Sequence, residues 1–168
     1  MATERKRMIL GGAMNGWPLM HQLEEFTPVN IEKEMEVAQG GRFAPEQIMV
    51  GLRQMECSVT LMGAGYELII AQGIGAGDTV ELDVRESQED MEGMAFAVWH
   101  QVSGEVTKVE RSNVKMKEKP SVTLTIAPVR TIMLENGVTL HNINLRTQVI
   151  DLGNGDIMER HRRNALMP

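Results

Sequence analysis

The sequence predicts a mainly β chain, an antiparallel sandwich or barrel of roughly eight to ten strands with one short middle helix and one C-terminal helix. Three observations point there. Apolar and polar residues alternate with period 2 in most segments, as in strands with one buried and one wet face. The pairs Asn15-Gly16 and Asn136-Gly137 each separate two such segments by two residues, a strong hairpin signal. Helical periodicity is confined to Tyr66–Gln72 and to the last dozen or so residues.

Along the chain, Met8–Met14 and Trp17–Leu23 flank the first hairpin turn, with Pro18 suiting an edge or an irregular strand start. Pro28 leads into a strand over Val29–Val37, where Val29, Ile31, Met35 and Val37 alternate with Asn30, Glu32, Glu34 and Glu36. A loop over Gln39–Val50 contains Gly40-Gly41-Arg42-Phe43-Ala44-Pro45, too long for a tight hairpin and unusually apolar. Leu52–Met62 resumes the alternation, with Met55, Cys57, Val59 and Leu61 against Gln54, Glu56, Ser58 and Thr60. Tyr66–Gln72 reads as a short helix capped by Gly73, and Thr79–Arg85 as a strand with Val80, Leu82 and Val84 inward. Glu86–Gly93 reads as an acidic loop.

Met94–Glu110 is long enough for a strand bent at Gly104. Lys115, Lys117 and Lys119 mark a solvated turn over Asn113–Pro120, and Ser121–Val129 alternates again. Thr131–Leu134 and Val138–Asn144 flank the second hairpin turn. Asp156 is placed to N-cap a final helix reaching Leu166, acidic in its first turn and basic later, as the helix dipole favours.

The 168 residues are read as one domain, 42% hydrophobic and 24% charged, which is a globular balance. No apolar run approaches the roughly 20 residues needed to span a bilayer, so no membrane insertion is expected. The basic start followed by Met8-Ile-Leu-Gly-Gly-Ala is too short and glycine-rich for a signal sequence. The one cysteine, Cys57, sits on an apolar strand face and reads as a buried structural thiol. Net charge is −6; the first seven and last ten residues together hold +4, which leaves −10 on the body. An acidic body argues against broad nucleic-acid binding, which rests on Lys and Arg neutralising phosphates.

No catalytic or cofactor pattern emerges. Gly73-x-Gly75-x-Gly77 lacks the Gly-Lys-Ser/Thr ending of a phosphate loop and follows a helix rather than a strand. His21, His100, His141 and His161 show no metal-ligand spacing, and no serine sits in a nucleophile elbow. What repeats is one polar strand face: Glu32, Glu34 and Glu36; Gln54, Glu56, Ser58 and Thr60; Ser103, Glu105 and Thr107; Ser121, Thr123 and Thr125. By pattern alone this is either an ordinary wet surface or a functional wall.

Several stretches resemble a known family: Glu24-Glu25-Phe26-Thr27-Pro28, the run from Glu36 through Gly40-Gly41-Arg42-Phe43-Ala44-Pro45, Gly51-Leu-Arg-Gln-Met-Glu56, Ser103-Gly-Glu-Val-Thr-Lys-Val109, the Asn136-Gly137 hairpin, Val149-Ile-Asp-Leu-Gly-Asn-Gly-Asp156 and Glu159-Arg-His-Arg-Arg-Asn-Ala165. Their order resembles the major tail tube proteins of contractile-tailed bacteriophages, the family that also supplies the inner tube of R-type pyocins. Gly11-Gly12-Ala13 and Arg42-Phe43 depart from its pattern.

The resemblance implies a structural, non-enzymatic virion protein without cofactors, assembled in the host cytoplasm. It implies homohexameric rings, four strands per subunit closing a barrel of 24, and rings stacked into a tube that DNA crosses without specific binding. Strands about 4.8 Å apart and tilted about 40° give such a barrel a backbone diameter of roughly 45–50 Å. The implied partners are the sheath, baseplate and tail terminator proteins, and the tape-measure protein in the lumen during assembly. On this reading the repeated polar face lines the lumen, where carboxylates repel phosphate and short hydroxyls offer no long cationic handle. Residues 39–50 make the inter-ring contact through Gly40–Pro45, Ile48 and Met49, apolar groups expected to lack a strand partner. Glu86, Glu89, Asp90 and Glu92 face a basic sheath surface. Alternatives of other classes are a headless bacteriocin or type VI-like tube and, from pocket chemistry, a small-ligand-binding β-barrel.

Overall fold

Two long strands organise the chain. In the computed structural model, which describes residues 4–19, 21–63, 75 and 77–168, β8 (Ala95–Arg111) and β9 (Ser121–Glu135) pair along most of their lengths. The sequence reads the first as one strand bent at Gly104 and the second as two segments, 121–129 and 131–134; each strand is interrupted once by a change of register. Between Ser103 and Gly104 the pairing slips, so that Ser103 faces Arg130 while Gly104 faces Pro128. A Cβ at Gly104 would lie 2.1 Å from the Ala127 carbonyl oxygen, so only glycine lets the two backbones come this close. A second slip between Val106 and Lys108 leaves Thr107 as the bulged residue.

The interruptions divide each long strand into two halves with different neighbours. The N-terminal half of β8 pairs with β7 (Val80–Asp90), β7 pairs with β1 (Arg5–Met14), and β1 pairs briefly with β2 (Trp17–Pro18). The C-terminal half of β9 pairs with β10 (Val138–Asn144), followed by β11 (Val149–Asp151). At the other end, the N-terminal half of β9 pairs with β6 (Cys57–Met62), and β6 with β3 (Leu23–Thr27). All these pairings are antiparallel, and together they form one nine-stranded sheet. Both Asn-Gly turns close as expected, with positive φ at Asn15, Gly16, Asn136 and Gly137.

The sheet curls over its own apolar face. Val59 and Leu61 of β6 share one buried cluster with Val80, Leu82 and Val84 of β7, although two strands separate them in the sheet. Met14, Leu23, Val102, Leu124 and Ile126 complete this core, and Cys57 lies within it at 1% exposure. Burial, aided by Glu56, pushes the Cys57 thiol up to about 12, which makes it an inert core group. A smaller cluster of Met55, Ile143 and Ile150 is covered by Val29, Ile31, Leu52, Leu152 and Met158.

Several expectations change. The segment read over 17–23 is strand only at Trp17–Pro18, with a separate strand starting at Leu23; the strand read over 52–62 begins at Cys57; and the segments 121–129 and 131–134 are one strand. The strand read over 29–37 begins only at Lys33, because Val29 and Ile31 turn inward to cover the second core cluster. β7 runs on to Asp90 where an acidic loop was expected. Its inward positions switch from valine and leucine to Glu86 and Asp90, at 9% and 6% exposure, so the apolar signal stops while the strand continues. The C-terminal helix is shorter than expected, α1 (Glu159–Asn164), and Asp156 does not cap it. Its Oδ1 accepts from the backbone N–H groups of Ile150 and Met158, and its Oδ2 lies 2.6 Å from Arg162, which ties the helix to β11. The helix expected over 66–72 lies outside the described residues. Among the described residues no helix is long and apolar enough to cross a membrane.

Gly104→Ala is expected to destabilise the fold by about 1–3 kcal/mol, the range for forced overpacking. Gly40→Ala, which has no atom within 4 Å of the added carbon, is expected to be neutral. Urea denaturation of both variants checks this.

Candidate functional site

The outer face of the curl is most regular where β3, β6, the N-terminal half of β9 and the C-terminal half of β8 lie side by side. With Val59, Leu61, Leu124 and Ile126 pointing inward, their neighbours must point out. Ser58 pairs with Thr125, Thr60 with Thr123, and Met62 with Ser121. The Thr60 and Thr123 hydroxyl oxygens lie 3.1 Å apart, so each satisfies the other across the strand boundary. Glu105 lies opposite Ala127 on the same side, and Ser103 lies opposite Arg130 beyond the bend. Gln54 and Glu56 are exposed in the segment leading into β6. Ten of the thirteen residues expected on one polar face therefore do lie on β6, β8, β9 or their approaches: Gln54, Glu56, Ser58, Thr60, Ser103, Glu105, Thr107, Ser121, Thr123 and Thr125.

Glu32, Glu34 and Glu36 do not. β4 (Lys33–Ala38) pairs only with β5 (Glu46–Leu52), in a two-stranded sheet separate from the main one. The fourth strand of the face is instead β3, which contributes Glu25 opposite Thr60 and Thr27 opposite Ser58. A register shift between Leu23 and Glu25 puts two glutamates in a row, which hides the alternation, and Pro28 ends the strand. Thr107 is the bulged residue, its hydroxyl donating to the Thr125 carbonyl at 3.3 Å. That bulge reverses the parity of the remaining β8 residues and turns Lys108 and Glu110 onto the polar face. The face thus carries one long cation that alternation alone assigns to the other side. Lys108 is ion-paired with Glu110, and Glu110 first, with Glu56 more weakly, holds its ammonium above the ordinary lysine value. Glu25, Glu56, Glu105 and Glu110 outnumber Lys108 and Arg130, the latter opposite Ser103 beyond the bend, so the face is acidic.

The segment expected as a loop over 39–50 is a hairpin arm. Ile48 pairs with Glu36 and Met49 with Met35, so neither lacks a strand partner. What they lack is a covering layer: Met35, Val37, Ile48, Met49 and Val50 are all exposed. Gly40, Gly41, Ala44 and Pro45 form the turn at the arm's end, with Gly41 at positive φ. Phe43 stands wholly in solvent there, and Arg42 reaches Glu46 at 2.7 Å. At the arm's base Arg53 pairs with Glu32 at 2.7 Å.

Of the expected acidic surface group, Glu86 and Asp90 are not on the surface. Glu86 Oε2 meets Arg7 Nε at 2.8 Å, and Gln88 donates to its other oxygen at 2.7 Å. Asp90 Oδ1 accepts from the backbone N–H groups of Glu92 and Met94, both at 2.9 Å, and so shapes the turn into β8. Glu92 is exposed and Glu89 half-buried.

Glu86 also belongs to a polar cluster under the segment leading to the arm. A cavity of about 430 Å³ lies between residues 24–31 and the inward groups Arg7, Glu86, His100 and His141. His100 Nε2 is 3.8 Å from Glu86 and its ring stacks at a tilt on Phe26, while His141 Nε2 lies 3.3 Å from the Thr131 hydroxyl. Burial pushes His100 below its ordinary value against the pull of Glu86, and Arg7 adds to the lowering. Burial, with His100 nearby, does the same to His141. Among the described residues no group of three His, Cys, Asp or Glu is placed to hold a metal.

The profile of a family described as phage tail tube protein FII matches residues 13–165, nearly the whole chain. No curated protein sequence matches. Among solved structures, a chain of the cryo-EM structure titled as the anti-feeding prophage baseplate, 6-fold symmetrised, superposes with a TM-score of 0.51 at 9% identity, covering 74% of this chain and 90% of that one. At that identity the likeness is one of fold.

Because both histidines titrate below the ordinary value of 6.5 in the folded state, the unfolded chain takes up protons first as pH falls. Their contribution to stability is complete above that value and declines below it. The urea midpoint is expected to drop between about pH 7.5 and about pH 5.5, and a His100→Gln/His141→Gln variant to flatten that slope. An unchanged slope in the variant would contradict the assignment.

Proposed function

The chain belongs to the phage tail tube family, whose members are structural tail proteins rather than enzymes, and from that premise we propose that six copies join their β3-β6-β9-β8 faces into a ring whose lumen carries DNA. As a tail tube protein it is a virion tail component and assembles with other tail parts such as the baseplate.

The observation that carries the proposal is a four-stranded sheet with a core on one side, hydroxyls and carboxylates on the other, and two unpaired edges. Among the described residues, β3 is strand-paired only with β6, and residues 105–110 of β8 only with β9. An open edge is a template for another strand. β3, β6, β9 and β8 alternate in direction, so the last strand of one copy and the first of the next, related by rotation about the tube axis, meet antiparallel. Six copies of four strands complete the 24-stranded barrel, and the sixfold symmetry in the neighbour's title supports that number.

Ser58, Thr60, Thr123 and Thr125 supply small neutral groups to such a lumen, and Glu25, Glu56, Glu105 and Glu110 supply repulsion toward phosphate. Lys108, held by Glu110 and close to Glu56, is not free to grip a phosphate. DNA then slides along the channel without a salt-releasing contact. Glu89 and Glu92 remain the acidic groups offered to a basic sheath surface. The β4–β5 arm, a two-stranded sheet that touches the core only at Leu52 and leaves Met35, Val37, Ile48, Met49 and Val50 exposed, is the inter-ring contact.

Concentrated protein viewed by negative-stain microscopy is expected to form rings and tubes. A variant with residues 34–51 replaced by Gly-Gly is expected to keep its thermal midpoint and form no tubes. Compact monomers from the wild type at every concentration, or normal tubes from the armless variant, would overturn the proposal.

A further inference from the structure

The four-stranded face has two unlike ends. β3 and β9 run toward the arm, and β6 and β8 run away from it. At the far end Met62 pairs with Ser121, and the Gly63 N–H donates to the Pro120 carbonyl at 2.8 Å. The connection from β8 to β9, residues 112–120, therefore projects from the end opposite the arm.

This connection is built rather than slack. Ser112 and Ser121 close its neck, the Ser112 N–H donating to the Ser121 carbonyl at 3.0 Å and the Ser121 N–H to the Ser112 hydroxyl at 3.0 Å. Lys117 is held at φ 68°, a left-handed conformation that lysine seldom adopts, in a turn where Lys115 and Glu118 lie 3.7 Å apart. The turn presents Val114 at 102% exposure and Met116 at 92%, flanked by Lys115, Lys117 and Lys119. Two fully exposed apolar side chains among three lysines suit a partner that is both apolar and acidic.

The arm is such a surface. Its exposed Met35, Val37 and Met49 share one face, and Glu36 lies with Ile48 on the other; of its cations, Arg42 is paired with Glu46 and Lys33 stands at the base beside Glu34. Identical rings stacked in one direction meet through two different surfaces, which must complement each other. The six residues of β4 extend about 20 Å at about 3.3 Å each, enough to cross from one ring onto the next.

Resting on the stacked-ring reading, we infer that residues 112–120 of one copy are the receptor for the β4–β5 arm of a copy in the adjacent ring. Val114 and Met116 seat on Met35, Val37 and Met49, and Lys117 and Lys119 reach around the outer edge of β4 to Glu34 and Glu36. The loop tips of one ring thus cover the apolar surface that the arms of the other expose.

Charge reversal tests this. Lys115→Glu/Lys117→Glu/Lys119→Glu is expected to leave single rings intact and to raise the protein concentration needed for tubes at least tenfold. Adding Glu34→Lys and Glu36→Lys to the same chain is expected to restore tube formation to within threefold of wild type. A separate Val37→Cys/Met116→Cys variant, oxidised after assembly, is expected to give a denaturing-gel ladder extending beyond six copies, since Cys57 is buried. Tubes from the triple variant at the wild-type concentration, loss of its rings along with its tubes, failed rescue, or a ladder ending at six would overturn the inference while leaving the tube reading intact. Absence of tubes and rings from the wild type would end both.

Discussion

The rest of the molecule depends on the place where β8 and β9 bend together. At Gly104 the two backbones approach so closely that a methyl group would collide with the Ala127 carbonyl, and the register slips against Pro128 and Arg130. That slip lets each strand serve two surroundings. On one side of it they hold β7, β1 and β10; on the other they hold β6 and β3. Because the sheet turns there, Val59 and Leu61 meet Val80 and Leu82 across a single core instead of facing solvent. The same turn leaves the outward groups of β3, β6, β9 and β8 as one uninterrupted polar surface.

Core and surface are therefore two sides of the same strands, and the arm belongs to neither. β4 and β5 contribute nothing to the main apolar cluster. A two-stranded sheet anchored to the smaller core cluster only by Leu52 has little independent stability in water, and its exposed Met35, Val37, Ile48 and Met49 gain by meeting another surface. The curl supplies the subunit's main core, while its arm, its two sheet edges and the 112–120 turn have their proposed partners on other copies. A tail tube protein needs this division, since the fold must persist while the contacts form and stack.

Much of the fold is legible from the residues. Wherever inward positions are aliphatic, as at Val80, Leu82 and Val84 or Val59 and Leu61, the period-2 pattern locates strand and face together. Both Asn-Gly pairs make the turns their positive φ values require. The pattern misleads where burial is polar or where parity breaks. Glu86 and Asp90 are inward residues of β7 but read as loop, because Arg7 and two backbone N–H groups, rather than apolar neighbours, accommodate them. Glu34 and Glu36 alternate as well as any wall residue, yet they sit on the arm, since alternation does not say which sheet a strand joins. The one-residue bulge at Thr107 moves Lys108 and Glu110 to the side opposite the one alternation gives them, and the shift beside Glu25 does the same there. No local feature of those residues announces either bulge.

The central claim is that the β3-β6-β9-β8 face is the inner wall of a tube. A helical reconstruction of the assembled protein at side-chain resolution tests it most directly. The account predicts that Thr60 and Thr123 face the axis, with β3 of each copy hydrogen-bonded to residues 105–110 of its neighbour within the ring. A tube in which Thr60 and Thr123 face outward, or in which those two edges remain unpaired, would contradict it.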